Sequence, residues 1–458
     1  MGAFRVGNTT ERTGGLCGFL AALVVLAGLP ATIQAAAGLP EPRIPDSIGI
    51  VVHGFPGAPG ELEQFVQTGV RVVRSDLLWW SVEKERGKYD FSYYDRCVDG
   101  YAQHGIRMLL ILDYGNTLYT EGQYDLPQTD EARAAFARFA AAAAERYRNK
   151  GVMFELWNEP DGSWSAEDYM AWAKAVVPVM RQANPDVVIM GPAAHQWALR
   201  WLEDCFQLGL LELVDAVSIH LYIGGYGGSD QPQEIPEVNA PGNYYLGSIR
   251  ELIAKYAGGD DIPLVSSEWG YNRWFRGQAE GGGAVSTEDQ AMFLARSYLL
   301  SVLWGLRFNT WYCWWLNTAS IVKTSNNYGL ITAAGMPLPS YYALKNLTTQ
   351  LDGGRLRRRI DVGSKGDYVL EFTTPTGPCW AVWTAAVSRA YSQDAKPAGS
   401  HTPEWMTGKP HSVSIPVGAY DKVLVTDLLG SRNYELPVES GEVTIRVTGA
   451  VQYLRVVD

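Results

Sequence analysis

Short hydrophobic runs alternate with longer stretches of helical periodicity between about residues 45 and 345. The runs are rich in Val, Ile, Leu and aromatic residues, as buried strands are. The stretches between them repeat apolar positions at the helical period of about 3.6 residues. This alternation is typical of repeated βα units. The eight predicted strands are Ser47–Phe55, Arg71–Trp79, Arg107–Gly115, Met153–Pro160, Val187–Ala194, Ala216–Tyr222, Leu264–Tyr271 and Asn309–Leu316.

Helix-start signals support this interpretation. Ser165 with Asp168 forms one predicted capping box, and Thr287 with Gln290 forms another. Eight strands that each precede a helix, within roughly 300 residues, fit a closed barrel better than an open sheet. No Gly-rich phosphate-binding sequence follows the first strand, which counts against a dinucleotide-binding fold. We therefore predict an α/β protein in which residues 41–346 form a (β/α)8 TIM barrel.

A smaller region without helical periodicity follows the barrel. After about residue 347 apolar and polar positions alternate with a period of two. The polar segment Ser388–Lys409 is rich in turn residues and predicts a loop. We therefore predict that residues 347–458 form a small C-terminal β-sandwich. Its few aromatic residues favour bracing of the barrel, and carbohydrate binding is the alternative. Its predicted strands are Tyr368–Phe372, Cys379–Thr384, His411–Pro416, Lys422–Asp427, Glu442–Thr448 and Val451–Val457.

The amino terminus resembles an export signal. Arg5 and Arg12 precede the apolar run Leu16–Leu29, and the small residues Ala35-Ala36-Ala37 follow it. The run is too short to span a bilayer comfortably but suits the core of a signal peptide. We predict that residues 1–37 are removed and that the mature protein is secreted or periplasmic, without stable membrane insertion. A retained membrane anchor is the alternative.

Composition restricts the function further. With 47% hydrophobic and 19% charged residues, the 458-residue chain is that of an ordinary globular protein. A formal net charge of -11 counts against nucleic acid as a partner. Cysteines at 97, 205, 313 and 379 are too widely spaced to suggest a metal site or a dense disulfide framework, although one disulfide is possible. We expect neither a metal nor a cofactor.

Two glutamates mark the candidate site. Barrel enzymes carry their reacting groups where the strands end. Predicted strand four carries Glu159 at its next-to-last position, and predicted strand seven contains Glu268 near its end. A pair of carboxylates at one rim suits cleavage of a glycosidic bond, in which one protonates the leaving oxygen and the other attacks or assists at the anomeric carbon. A single glutamate at a strand end can equally cap the next helix.

The segments around these glutamates resemble a known clan. Trp157-Asn158-Glu159-Pro160 and Glu268-Trp269-Gly270 are similar to the signature of retaining glycosidases whose (β/α)8 barrel carries catalytic glutamates on strands four and seven. Further segments resemble glycoside hydrolase family 39, which includes β-xylosidases, α-L-iduronidases and bacterial exopolysaccharide hydrolases. Those segments are Arg74-Ser75-Asp76, Gly87-Lys88-Tyr89-Asp90-Phe91, Leu112-Asp113-Tyr114-Gly115-Asn116 and Asn327-Tyr328-Gly329-Leu330.

The resemblance implies a role for each matching residue. Glu159 would be the acid/base and Glu268 the nucleophile, with Asn158 holding the sugar 2-hydroxyl. Arg74 would neutralise and orient Glu268. His220 and Tyr222 would be supporting residues, with Tyr222 hydrogen-bonded to the nucleophile. The resemblance and the strand-end rule together also bring four substrate-binding residues to the site: Trp315, Asp113, Asn116 and Trp79.

Elementary electrostatics assigns the two glutamates opposite environments. A nucleophile must stay ionised, so Glu268 needs a cation and hydrogen-bond donors such as Arg74 and Tyr222. An acid must hold its proton, so we expect Glu159 to lie in a dry setting that raises its pKa, beside Trp157 and Trp164. Two alternatives for the supporting residues stay open: Arg74 as a structural partner of Glu155, and His220 as a core histidine.

Two other functions compete with this one. A metal-dependent barrel hydrolase would draw histidine ligands from several strands, but the sequence has only six histidines and no paired-histidine motif. A non-catalytic polysaccharide-binding barrel would have lost a catalytic residue, yet both glutamates are present. The sugar, the linkage, exo or endo action and the oligomeric state stay open. The long Gly-rich loops at 223–243 and 272–286 either shape the substrate site or are linkers without contact to substrate.

Overall fold

The computed structural model describes residues 38–222, 234, 245–273, 285–315, 327–385 and 410–457. The predicted signal peptide, most of the two Gly-rich loops and the segment 388–409 lie outside these residues. Among the helices that are described, none has both the length and the apolar composition needed to cross a bilayer.

Eight parallel strands form a closed barrel in which each strand pairs with the next and β8 pairs with β1. The predicted barrel is therefore confirmed. Most predicted strands run past the observed carboxyl end, because the ladder of the described strands ends earlier than the hydrophobic runs do. The strands are β1 (Ile48–Val51), β2 (Val72–Leu78), β3 (Arg107–Asp113), β4 (Met153–Leu156), β5 (Val188–His195), β6 (Ala216–His220), β7 (Leu264–Trp269) and β8 (Asn309–Trp311).

Helices connect the strands. The predicted cap at Ser165 is present, since its hydroxyl accepts the Asp168 N–H at 3.1 Å. The second predicted cap is wrong by one residue, because Ser286 rather than Thr287 caps the helix, with Asp289 as partner. The helices described are α1 (Glu61–Val66), α2 (Trp79–Val82), α3 (Ser92–Ala102), α4 (Asp130–Arg146), α5 (Ala166–Ala183), α6 (Leu199–Gln207), α7 (Tyr245–Tyr256), α8 (Thr287–Leu303) and α9 (Pro339–Gln350), with 3-10 turns at Pro160–Gly162 and Leu210–Glu212.

The barrel interior changes from apolar to charged along the strands. Near the amino ends, buried side chains from the six strands β2 to β7, with Phe308 just before β8, form one hydrophobic cluster. Its members are Val72, Leu109, Met153, Val188, Met190, Ala216, Val265 and Phe308. Because side chains two residues apart on a strand face the same way, the next inward positions on β2 and β4 are Arg74 and Glu155. The apolar layer therefore supports a charged layer directly below the rim.

The C-terminal region consists of two packed antiparallel sheets, as predicted. One has six strands in the order β14-β13-β16-β11-β10-β9, and the other pairs β12 with β15. Edge strands β9 and β14 were not predicted, because the sequences RLRRR and NYELP show no hydrophobic alternation. The strands are β9 (Arg355–Arg359), β10 (Asp367–Thr374), β11 (Gly377–Thr384), β12 (His411–Pro416), β13 (Lys422–Thr426), β14 (Asn433–Pro437), β15 (Glu442–Val447) and β16 (Gln452–Val457).

A buried polar contact joins the sandwich to the barrel. Arg296 on α8 is fully buried and donates to the carbonyls of Thr384 and Gly449 in the sandwich. Glu234, from the segment after β6, lies 3.8 Å from Arg296 and accepts the indole N–H of Trp383 at 2.7 Å. Glu234 therefore contacts both the barrel, through Arg296, and the sandwich, through Trp383.

Candidate active site

The two candidate glutamates meet at the carboxyl-terminal rim. Glu268 lies within β7, and Glu159 follows β4 at the start of the turn Pro160–Gly162. Glu159 has a left-handed backbone (φ 48°, ψ 50°), as does Trp157 (φ 69°). Such conformations are costly for residues other than glycine and concentrate at functional sites. A carboxylate oxygen of Glu159 lies within 4.8 Å of one of Glu268.

Arg74 binds several side chains beneath the glutamates. Its Nε donates to Glu155 at 2.6 Å, its Nη1 to Glu268 at 2.8 Å and its Nη2 to Asn158 Oδ1 at 2.8 Å. Burial alone would lower the pKa of the guanidinium, but the charges of Glu155 and Glu268 outweigh it and raise the pKa. The expected contact with Glu268 and the alternative pairing with Glu155 therefore exist together.

Tyr222, just past β6, donates its hydroxyl to Glu268 Oε1 at 2.6 Å. Burial, and then the charge of Glu268, raises the pKa of this phenol well above its ordinary value. The hydroxyl therefore keeps its proton as a hydrogen-bond donor. Together Arg74 and Tyr222 engage both oxygens of Glu268, as an ionised nucleophile requires.

Two imidazoles contact Glu159. His220 Nδ1 lies 2.8 Å and His195 Nε2 lies 3.0 Å from the same oxygen, Oε1. Burial would raise the pKa of Glu159, but the hydrogen bonds from His195 and His220 outweigh it and lower the pKa. The expectation of a raised pKa is therefore wrong, because hydrogen bonds from two imidazoles outweigh the dry setting of Glu159.

The sequence interpretation gave His195 and Asp161 no role at the site. His195 ends β5, one residue beyond the predicted strand, and its Nδ1 lies 3.0 Å from Asp161 Oδ2. Burial lowers the pKa of His195, but hydrogen bonds to Asp161 and Glu159 outweigh it and raise the pKa to about 10. The strand-end rule would have found His195 if β5 had been extended by one residue.

Three of the predicted substrate-binding residues, Trp79, Asn116 and Asp113, are buried, and substrate binding by them stays a prediction. Trp79 is fully buried, and its indole N–H donates to Glu83 Oε2 at 2.6 Å. Asn116 donates to the Glu83 carbonyl at 2.7 Å and accepts from the Leu118 N–H at 3.0 Å. These side chains fix the loops after β2 and β3, a use of strand-end polar residues that sequence position does not distinguish from substrate binding.

Asp113 is the third of these residues. It is fully buried, and burial together with the nearby charge of Asp76 raises its pKa well above the ordinary value. Asp76 on β2 is the more accessible of the two, with 29% of its side chain exposed, and it lies 3.8 Å from His53 Nδ1. Asp76 is therefore the better candidate to contact a substrate hydroxyl.

Tyr312, which was not predicted as a site residue, lies close enough to Glu268 to feel its charge. Tyr312 directly follows β8, and its hydroxyl lies 3.0 Å from His53 Nε2. Burial raises the pKa of Tyr312, and its neighbours Cys313 and Glu268 raise it further. Trp315 is half-buried against the barrel core. A stacking role for Trp315 stays a prediction.

A metal ion is the other ligand that this geometry could suggest. Glu159, His220 and Glu268 offer three donor atoms within 4.8 Å of one another. Arg74, however, lies 2.8 Å from Glu268 Oε2 and 3.1 Å from His220 Nε2. A cation placed among these groups would be repelled by the guanidinium, which already compensates the carboxylate charge. The cluster is better suited to proton transfer.

The chain matches known proteins in sequence and in fold. Residues 60–318 match the family model described as Cellulase (glycosyl hydrolase family 5). A segment of 84 residues is 36% identical to an endoglucanase, CelA, of Streptomyces lividans. That segment covers 18% of this chain and 16% of the endoglucanase. The chain therefore aligns with less than two thirds of this relative.

Solved structures share the fold at low identity. A family 39 glycoside hydrolase from the gut symbiont Bacteroides cellulosilyticus WH2 has a TM-score of 0.70 and 22% identity, over 90% of this chain and 81% of that one. A monomeric beta-xylosidase from Caulobacter crescentus CB15 has a TM-score of 0.61 and 16% identity, over 91% and 97%. A glucosidase from Croceicoccus marinus has a TM-score of 0.62 and 16% identity, over 93% and 100%.

Proposed function

This chain belongs to the cellulase family, glycosyl hydrolase family 5, and from that membership we propose that it hydrolyses glycosidic bonds of an oligo- or polysaccharide with retention of anomeric configuration. The observation that carries the proposal is the distance within 4.8 Å between oxygens of Glu159 and Glu268. Retaining glycosidases hold their carboxyl groups about 5–5.5 Å apart, whereas inverting ones leave about 6.5–9.5 Å for a water.

In the first step Glu268 attacks the anomeric carbon. A bond forms between a Glu268 oxygen and that carbon while the bond to the leaving oxygen breaks, and Glu159 gives a proton to the leaving oxygen. Arg74 and Tyr222 each bond one oxygen of Glu268 and orient the carboxylate for attack. The product of this step is a covalent glycosyl-enzyme.

In the second step water replaces Glu268. Glu159, now a carboxylate, takes a proton from the water. At the same time the water oxygen bonds to the anomeric carbon and the ester bond to Glu268 breaks. Two inversions give net retention. The amide oxygen of Asn158 is occupied by Arg74 at 2.8 Å, so its amide N–H groups are the part suited to hold the sugar 2-hydroxyl.

The amino-terminal segment bears on where the protein acts. The basic residues, apolar run and small residues within positions 1–37 support export. We infer that the mature enzyme acts outside the cytoplasm, where polysaccharide substrates are accessible. Amino-terminal sequencing of the protein recovered from outside the cell should begin near Ala35 to Ala37; recovery of the intact amino terminus would contradict cleavage.

Leaving-group dependence tests the assigned roles. The mature protein is screened against aryl glycosides and polysaccharides, and the active substrates are repeated with Glu268→Ala and Glu159→Ala. Glu268→Ala should abolish turnover of every substrate. Glu159→Ala should mainly slow substrates with poor leaving groups, since activated aryl groups need little protonation. Full activity of Glu268→Ala, or equal loss on all leaving groups for Glu159→Ala, would contradict the assignment.

A further inference from the structure

The hydrogen bonds around Glu159 fix where protons lie. His220 Nε2 lies 3.1 Å from Arg74 Nη2, and a guanidinium can only donate. His220 Nε2 must therefore accept, so His220 is neutral and its proton is on Nδ1. That proton is donated to Glu159 Oε1 at 2.8 Å. His220 thus stabilises the carboxylate form of Glu159 but has no proton to release to it.

His195 has a different environment. Its Nδ1 faces Asp161 Oδ2 and its Nε2 faces Glu159 Oε1, each at 3.0 Å. The His195 and Asp161 side chains are only 6% and 5% exposed. An imidazole with a carboxylate on each nitrogen is satisfied on both sides only when both nitrogens carry protons.

Local structure holds His195 in place. Its ring stacks on Trp197 at 4.4 Å with 20° between the planes. Its backbone N–H donates to Asp161 Oδ1 at 3.2 Å, so one carboxylate binds both the backbone and the ring of His195. The Asp161 side chain belongs to the same turn that follows Glu159. The three groups therefore form one fixed chain.

We propose that Asp161 and His195 hold the proton that Glu159 delivers, so that the acid/base unit of this enzyme is the chain Asp161–His195–Glu159. This proposal rests on the proposed function, because it takes Glu159 as the acid/base. His195 is a positioning residue that acts through Glu159 and does not itself contact the substrate. Asp161 keeps the imidazole oriented and compensates its charge.

The proton transfer balances. As the leaving oxygen takes the electron pair of the breaking bond, a proton moves from His195 Nε2 to a carboxyl oxygen of Glu159, and Glu159 passes a proton to the leaving oxygen. His195 becomes neutral. Its remaining proton stays on Nδ1 and is donated in a hydrogen bond to Asp161. In the second step water gives a proton to Glu159, and His195 Nε2 is protonated again. No oxidant, metal or cofactor is consumed.

If Glu159 and His195 share a proton, the pH dependence of activity reports the titration of the two groups together. The titratable groups facing His195 are Glu159 and Asp161 on the turn after β4 and His220 on β6, whose ring centroid lies 6.4 Å away. One proton is shared by Glu159 and His195, so its loss has a single apparent pKa. The His195 pKa of about 10 places that loss in the alkaline range. Without His195, Glu159 should lose the proton at lower pH.

The pH dependence of kcat/KM tests this with two variants and a control. His195→Gln keeps a side-chain N–H donor but cannot titrate, and Asp161→Asn removes the charge that stabilises the imidazolium. Each should move the alkaline limb to lower pH by at least about one unit, because a proton holder is lost or weakened. His104→Gln, exposed on the loop before β3, should leave the profile unchanged.

Nitrogen-15 NMR of the full-length protein gives a second readout that does not depend on activity. The signals of His195 should show both ring nitrogens protonated at pH 8, and those of His220 only Nδ1. An unshifted alkaline limb in both variants, or a neutral His195 at pH 8, would overturn the relay. Those results would leave the proposed function standing, whereas full activity of Glu159→Ala on poor leaving groups would refute the function itself.

Discussion

Arg74 is the residue on which the electrostatics of the site depends. It is 1% exposed and lies between Glu155, which is fully buried, and Glu268. Removing one partner of a buried ion pair leaves the other charge in a poorly solvating environment. Arg74 therefore combines a structural task, through Glu155, with a chemical one, through Glu268.

Arg74→Met should impair both tasks. We expect the free energy of unfolding to fall by about 3–5 kcal/mol, since Glu155 loses its partner. We expect kcat/KM to fall at least about 100-fold, since Glu268 loses its cation. Urea unfolding and steady-state kinetics measure the two effects. Arg96→Met, at an exposed position on α3, is the matched control; a variant at position 74 as stable and active as this control would contradict the account.

The strand-end rule brings some of the predicted residues together at the site and leaves others buried. Inward-facing positions near the ends of parallel strands converge at one rim of the barrel. This rule brings together Glu159, Glu268, Arg74 and Tyr222. Trp79, Asn116 and Asp113 satisfy the same rule but are covered by loops. Loop packing depends on distant side chains such as Glu83, and sequence spacing does not reveal such contacts.

At the scale of elements, the junction between α8 and the sandwich explains how the two domains are held together. Arg296 donates to two sandwich carbonyls, and Glu234 contributes a buried carboxylate 3.8 Å away. Trp383 on β11 donates to that carboxylate. The sandwich thus contacts the barrel through a specific polar junction, and bracing as its role stays a prediction.

Glu234→Ala should reveal the strength of this junction. Loss of a buried carboxylate beside Arg296 is expected to lower the free energy of unfolding by about 3–5 kcal/mol. The control is Glu435→Ala, which breaks a pair with Lys422 whose side chains are 51% and 39% exposed and should cost under about 1 kcal/mol. Chemical denaturation measures both, and equal losses would contradict a special role for the junction.

Elements with a clear hydrophobic period were predicted, and elements without one were not. All eight barrel strands and the strands in the middle of the sandwich have a buried face that repeats in the sequence. The edge strand β9 carries four arginines, two of which pair with Glu371. Its pairing is set by backbone bonds to β10, which leave no periodic signal in the side chains.

For the whole molecule, the barrel turns distant sequence segments into one reacting centre. Glu159 and Glu268 lie on strands four and seven, yet their carboxylate oxygens come within 4.8 Å. The fold class followed from the count of βα units, because few architectures accommodate eight of them in one domain. The pKa of Glu159 did not follow, because it depends on His195 and His220, which are brought to Glu159 only when the barrel closes.

The anomeric configuration of the first product tests the central claim most directly. Proton NMR of the wild-type protein, recorded on an active glycoside before mutarotation, distinguishes the α from the β signal of the released sugar. Double displacement through Glu268 predicts that the product first appears with the configuration of the substrate. A product that first appears with the opposite configuration would contradict the roles assigned to Glu159 and Glu268.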